Sequence, residues 1–250
     1  MRMGAVHLTV SDLGRSVAYY EQLIGLRVHG RDGGVARLGA DGEDLLVLIE
    51  QPDVTPADGF SGLFHFALLV PDRVALARWL GHAARVRVPL SGLSDHEVSE
   101  AIYLRDPDGH GIEIYADRPR EQWAGRVAEL MTTVPLDVND LLALDDRGFT
   151  RLPEGTTMGH VHLCVADVEA SVEFYGTLGL QLMARYGADA AFLSYGGYHH
   201  HVGVNTWQSK GAPYAPHDRA RLTRLNILGA PGERDLVDPS GIPVHLATGA

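Results

Sequence analysis

The residues able to do chemistry in this chain are concentrated in a few short stretches. His65 lies inside an apolar run, "LFHFALLV", and Glu113 sits between Ile112 and Ile114 in "DPDGHGIEIY". Three consecutive histidines, His199 to His201, precede the alternating "VGV". A lone histidine on an apolar strand is usually a hydrogen-bonded core residue, and a lone carboxylate on a strand usually points to water. Recurrence weighs against both plain readings, because His7 and His162 are read as holding the place of His65 on the first strands of their own segments. Two imidazoles and one carboxylate from separate strands form a set that leaves positions open on a redox-active Fe(II) for a chelating substrate and O2.

The elements that must carry these residues form a repeat. "MGAVHLTVSDLGRSVAYYEQLIGLRV", from Met3, lies over "MGHVHLCVADVEASVEFYGTLGLQLM", from Met158, with His7 on His162 and Tyr20 on Tyr175. Each copy reads as a period-two strand, then Ser11-Asp12 or Ala166-Asp167 opening an amphipathic helix, then Gly25 or Gly179 closing it. Strand candidates follow at 26–30, 35–38 and 45–50. The pattern restarts at Phe64 with a further strand and helix and with strands near 101–104 and 111–115. The unit is a βαβββ module of about 55 residues. The second half holds a complete module from Gly159 to Trp207 and a shortened one after Leu222. The expected architecture is α+β, with halves at 1–117 and 154–250 joined by a linker at 118–153.

Composition narrows the partner. The 250 residues carry a formal net charge of −11, which argues against a phosphate backbone as ligand, since such binding needs clustered Lys and Arg. No apolar run approaches the ~18 to 20 residues of a membrane-spanning helix. The N-terminus enters strand-like sequence directly, and Cys164 is the single cysteine, so the reading is a cytoplasmic protein with a small-molecule partner, a homo-oligomer being left open.

Paired βαβββ modules with His on a first strand and Glu on a last strand resemble the vicinal oxygen chelate superfamily of glyoxalases, bleomycin-resistance proteins and type I extradiol dioxygenases. His96, Ile102-Tyr103, Asp106-Pro107, Gly109 and Glu113 are similar in spacing to the extradiol ring-cleavage signature, with Ser94 departing from it. The stretches "VSEAIYLRDPDG", "EIYADRPR" and "GGYHHHVGVNTW" are similar to the bacterial catechol 2,3-dioxygenase group. The resemblance implies cupped mixed sheets, an Fe(II) or alternatively Mn(II) cofactor, and a catechol-type aromatic diol and O2 as partners. It further implies that His200, in "HHVGV", is the acid/base residue, with Tyr103 and His96 hydrogen-bonding the substrate oxygens.

Which modules pair decides the metal ligands. Pairing first with second would gather His7, His65 and Glu113 without an acid/base histidine. Pairing second with third would gather His65, Glu113 and His162 as ligands with His96, Tyr103 and His200 beside them, and only this set is complete. His162 is therefore the expected third ligand and His7 the fallback. Period two on the strand would turn His199 and His201 away from the face of His200. Two rivals remain on the same scaffold: a glyoxalase-like metal-dependent isomerase or lyase, and a metal-free small-molecule binding protein of the resistance type.

Overall fold

A computed structural model describes residues 1–249, and four modules appear in chain order. The first has β1 (Arg2–Val10), α1 (Leu13–Tyr19), β2 (Arg27–Asp32), β3 (Val35–Gly39) and β4 (Leu46–Glu50). The second has β5 (Gly62–Leu69), α2 (Arg73–Val86), β6 (Leu90–Asp95), β7 (Ser99–Arg105) and β8 (Gly111–Asp117). Short elements follow: α3 (Val127–Leu130), β9 (Val134–Pro135) and α4 (Val138–Leu142). The third module has β10 (Thr157–Cys164), α5 (Val168–Thr177), β11 (Gln181–Tyr186), β12 (Ala190–Ser194) and β13 (Val202–Asn205). The fourth is shortened to β14 (Leu222–Leu228), β15 (Arg234–Val237) and β16 (Pro243–Ala247), with no helix among its described residues.

The helix of each complete module starts where its sequence supplies a cap. Asp12, Asp72 and Asp167 accept from the backbone N–H of Arg15, Ala75 and Ala170 at 2.9, 2.8 and 2.9 Å, satisfying donors that the first turn cannot bond internally. A parallel pair needs a long crossover, and in each complete module the helix and the two strands after it form the crossover between the first strand and the last. β1 with β4, β5 with β8 and β10 with β13 are all parallel.

The two sheets each take one module from each half of the chain. One runs β15-β16-β14-β1-β4-β3-β2 and the other β11-β12-β13-β10-β5-β8-β7-β6-β9. The second module thus joins the third through the antiparallel β5/β10 pair, and the first joins the fourth through β1/β14. Mixed, curled sheets of this kind are the expected fold class.

Two aspartate turns tie one sheet to the other. In Asp106-Pro107-Asp108-Gly109, the Asp106 carboxylate accepts from the N–H of Asp108 and His110, and from the Tyr20 hydroxyl at 2.8 Å. In Asp238-Pro239-Ser240-Gly241, Asp238 accepts from the N–H of Ser240 and Ile242, and from the Tyr175 hydroxyl at 3.3 Å. Tyr20 follows the helix of the first module and Tyr175 lies on that of the third, so each helix grips a turn belonging to the other sheet. The apolar core is continuous between the sheets and buries Tyr20, Phe66, Trp79 and Tyr175 completely. No helix among the described residues is long and apolar enough to cross a membrane.

Candidate metal centre and cavity

Three central strands of the larger sheet set the site in two rows. In one row, Glu113 of β8 and His160 of β10 both lie opposite Ala67 of β5, with Tyr103 of β7 opposite Glu113. In the next row, His65 of β5 lies opposite His162 of β10, and His162 opposite Gly203 of β13. Ala67 keeps the floor between Glu113 and His160 low. A bulge at Gly159 shifts the register just before His160, a device common beside active sites. Only glycine fits there, because a Cβ would collide with the Tyr115 hydroxyl.

His65, Glu113 and His160 form a cluster whose ligand-type atoms all lie within 4.8 Å of one another. Nε2 of His65 is 3.0 Å and Nε2 of His160 is 3.1 Å from the same Glu113 oxygen, Oε2. The three residues are 6%, 1% and 2% exposed in the order His65, His160, Glu113. Burial drives the His160 imidazole down to about 4, against the pull of Glu113. Burial alone would push the Glu113 carboxyl up, but His160 and His65 outweigh it and hold it well below the carboxylate range. At neutral pH the set is one carboxylate and a neutral His160 imidazole, the protonation states that metal ligation requires.

The donors fit a cation. His65 Nε2 is sealed from solvent and makes no directed hydrogen bond despite its closeness to Glu113. A buried ring nitrogen without a partner is costly, and a divalent metal between the three groups would satisfy it. Two imidazoles and a carboxylate suit Fe(II) with open positions.

His162, the expected third ligand, is not a member of this cluster, and His160 stands in that place. His162 lies in the row of His65, one step removed from the carboxylate, and its Nε2 is buried without a partner. Its ring instead joins an aromatic wall, 5.2 Å from Phe64, 5.5 Å from Trp207 and 5.6 Å from Phe192. The fallback, His7, is in the other sheet opposite Arg224 and takes no part in this cluster. The missed residue carried a signal in the helix caps. His65 lies seven residues before Asp72 and His160 seven before Asp167, whereas His7 and His162 both lie five before their capping aspartates. Counted this way, the place of His65 in the first module is held by Ala5.

The other candidates surround the cluster. A cavity of about 550 Å³ is lined by His65, His96, Tyr103, Glu113, His162 and His200, among others. His96 donates from Nδ1 to the Thr132 carbonyl at 2.7 Å, so its Nε2 accepts from the Tyr103 hydroxyl at 2.7 Å. Burial first, and then the Glu113 charge, hold the Tyr103 phenol well above its ordinary range, so it stays protonated. On the opposite side the His200 ring lies 4.0 Å from that of His160. Burial, reinforced by His160 and His199, pushes His200 well below the usual imidazole range, leaving it neutral.

His199 does not turn away from His200 as strand alternation predicted. β13 begins only at Val202, so 199–201 lie outside the strand, with bends at His199 and His201, and the His199 and His200 rings meet through their Nδ1 atoms at 2.8 Å. His201 points elsewhere, accepting the Tyr195 N–H.

The model of the Glyoxalase/Bleomycin resistance protein/Dioxygenase superfamily matches residues 2–114, and that of the bleomycin resistance protein-like N-terminal family matches 157–194. The chain is 42% identical over 240 residues to a catechol-2,3-dioxygenase of Bacillus subtilis strain 168, covering 90% of this chain and 82% of that protein. Among solved structures, a putative dioxygenase of B. subtilis aligns with a TM-score of 0.65 at 13% identity, covering 99% of this chain and 85% of that one. Glyoxalase I of Zea mays aligns at 0.62 and 19% identity, covering 98% and 91%. At such identities the two structures speak for the fold alone.

Proposed function

We propose that this chain, which belongs to the glyoxalase/bleomycin resistance/dioxygenase superfamily, is an Fe(II)-dependent extradiol dioxygenase that opens a catechol-type ring beside its two hydroxyls with O2. The observation that carries the reading is the buried His65, Glu113 and His160 set, of which His65 and Glu113 line a cavity that also presents Tyr103 and His200. The 42% identity to a catechol-2,3-dioxygenase supports it.

His65, Glu113 and His160 would hold the metal. When bound, Fe(II) supplies open positions for both substrate oxygens and O2 and an electron path between them. The remaining work belongs to the protein. Phe64, Phe192 and Trp207 give the cavity apolar walls against which an aromatic ring packs and from which water is displaced. Tyr103, held protonated and donating to His96, offers its hydroxyl oxygen as an acceptor for a substrate hydroxyl. His200, neutral and with Nδ1 occupied by His199, presents Nε2 as the atom that takes a hydroxyl proton from the diol and later returns it.

The test is oxygen uptake. Protein loaded anaerobically with Fe(II) and mixed with catechol should consume one O2 per ring and form a yellow ring-opened product, with Mn(II)-loaded protein as the comparison for metal identity. Anaerobic turnover of a hemithioacetal, with no oxygen uptake on any catechol, would assign the site to isomerase chemistry instead.

A further inference from the structure

The triple histidine holds a feature that metal ligation and substrate contact leave unexplained. His199 is fully buried, touches no ligand-type atom of the cluster, and makes two hydrogen bonds in line. Its Nε2 lies 2.9 Å from Asp117 Oδ1 and its Nδ1 lies 2.8 Å from His200 Nδ1. Asp117 terminates β8, four residues after Glu113, so the strand that carries the carboxylate of the cluster also carries this second one.

We infer that Asp117 and His199 are positioning residues that fix the tautomer and ring orientation of His200. Resting on the ring-cleaving reading above, the inference follows from donor and acceptor bookkeeping. The Asp117 carboxylate only accepts, so His199 carries a proton on Nε2, and in the neutral form of the ring Nδ1 has a bare lone pair. That lone pair accepts from His200 Nδ1–H. His200 is left with its own bare lone pair on Nε2, the nitrogen not occupied by the protein. The opposite tautomer of His200 would set two lone pairs against each other at 2.8 Å. When His200 Nε2 takes a hydroxyl proton, one O–H bond breaks and one N–H bond forms, and the resulting imidazolium keeps its Nδ1–H directed at His199 with the Asp117 charge behind it.

Asp117 is itself held. Tyr115 donates to the Tyr198 hydroxyl at 2.7 Å, and Tyr198 donates to the same Asp117 oxygen at 3.0 Å. Tyr198 also stacks on His199, with ring centroids 4.0 Å apart. Tyr115, Tyr198, Asp117 and His199, from two modules, thus form a hydrogen-bonded chain that ends on the His200 imidazole.

The experiment compares His199→Leu with His199→Asn. Leu removes the acceptor; the Asn amide oxygen stands near the position of imidazole Nδ1 and can accept from His200 again. In Fe(II)-loaded protein, His199→Leu should lower kcat about 10- to 100-fold, the usual cost of losing an outer partner, with KM and iron content within about twofold of the parent. His199→Asn should recover most of the loss. Independently of turnover, ¹⁵N-histidine NMR of Zn(II)-loaded protein should show His200 protonated at Nδ1 and bare at Nε2 in the parent, and a mixture of tautomers in His199→Leu and in Asp117→Leu. Parent-like kcat in His199→Leu, or an Nε2-protonated His200 in the parent, would overturn the inference. If His199→Leu does not fold, Asp117→Leu decides in the same way. Absence of oxygen uptake by the parent protein would defeat the ring-cleaving reading alone, since the NMR arm still reports the tautomer.

Discussion

His160 and His162 share a strand, a face and near-complete burial, yet only one stands with the carboxylate. His160→Ala is expected to weaken metal binding by more than the about 10- to 100-fold that follows loss of an outer partner. His162→Ala should retain the metal and instead raise KM for a catechol, because it opens the aromatic wall. Elemental analysis after Fe(II) loading distinguishes them, and loss of metal in His162→Ala with retention in His160→Ala would reverse the ligand assignment. Glu113, Tyr103 and His96 are legible together in the sequence because motif spacing along β7 and β8 is local, and His65 stands out as a histidine in an apolar strand. His160, the third member of the cluster, is hidden when the modules are aligned on their histidines and emerges when they are aligned on the capping aspartates that follow each first strand. His199 escapes the alternation for a related reason: period two holds only within a strand, and β13 begins at Val202.

At the scale of elements, the pairing of the second module with the third was inferred from which arrangement completes a site, not from the strands themselves. A ladder such as β5/β10 joins residues nearly a hundred positions apart, and no local pattern encodes it. The aspartate turns show what else was hidden. Asp106-Pro107 reads as a hairpin turn with functional spacing, but Asp106 is also the buried acceptor that Tyr20 reaches from the first module. Tyr20→Phe should therefore destabilise the protein by about 1–3 kcal/mol, the cost of leaving a buried acceptor without its donor, while leaving metal content unchanged. Tyr175→Phe should cost less, since its bond to Asp238 is longer at 3.3 Å, and burial raises the Asp238 carboxyl toward its neutral form. Urea unfolding of the two variants checks the order, and equal stability of Tyr20→Phe and the parent would show that the turn holds without the tyrosine.

For the whole molecule, gathering so many histidines in one concave centre has a consequence for stability. His160 and His201 are both driven down to about 4, chiefly by burial, whereas in the unfolded chain each titrates near the ordinary imidazole value of about 6.5. A folded-state value below the unfolded one means that the unfolded chain binds more protons between these limits, so stability falls as pH falls through that window. Each such histidine contributes a slope of up to about 1.4 kcal/mol per pH unit, and His162 and His200 shift in the same direction. Net charge works the other way, because the formal −11 relaxes as acid is added, but exposed charges are largely screened beyond about 8 Å at physiological salt. The buried groups should win. Metal-free protein in 0.15 M salt is expected to lose several kcal/mol of unfolding free energy between pH 7 and pH 5, a large share of the about 5–15 kcal/mol typical of a folded domain. His201→Asn, which touches no ligand of the cluster, should flatten the profile by one histidine's share. Urea midpoints that do not move between pH 7 and pH 5 would mean that these imidazoles can gain protons without unfolding.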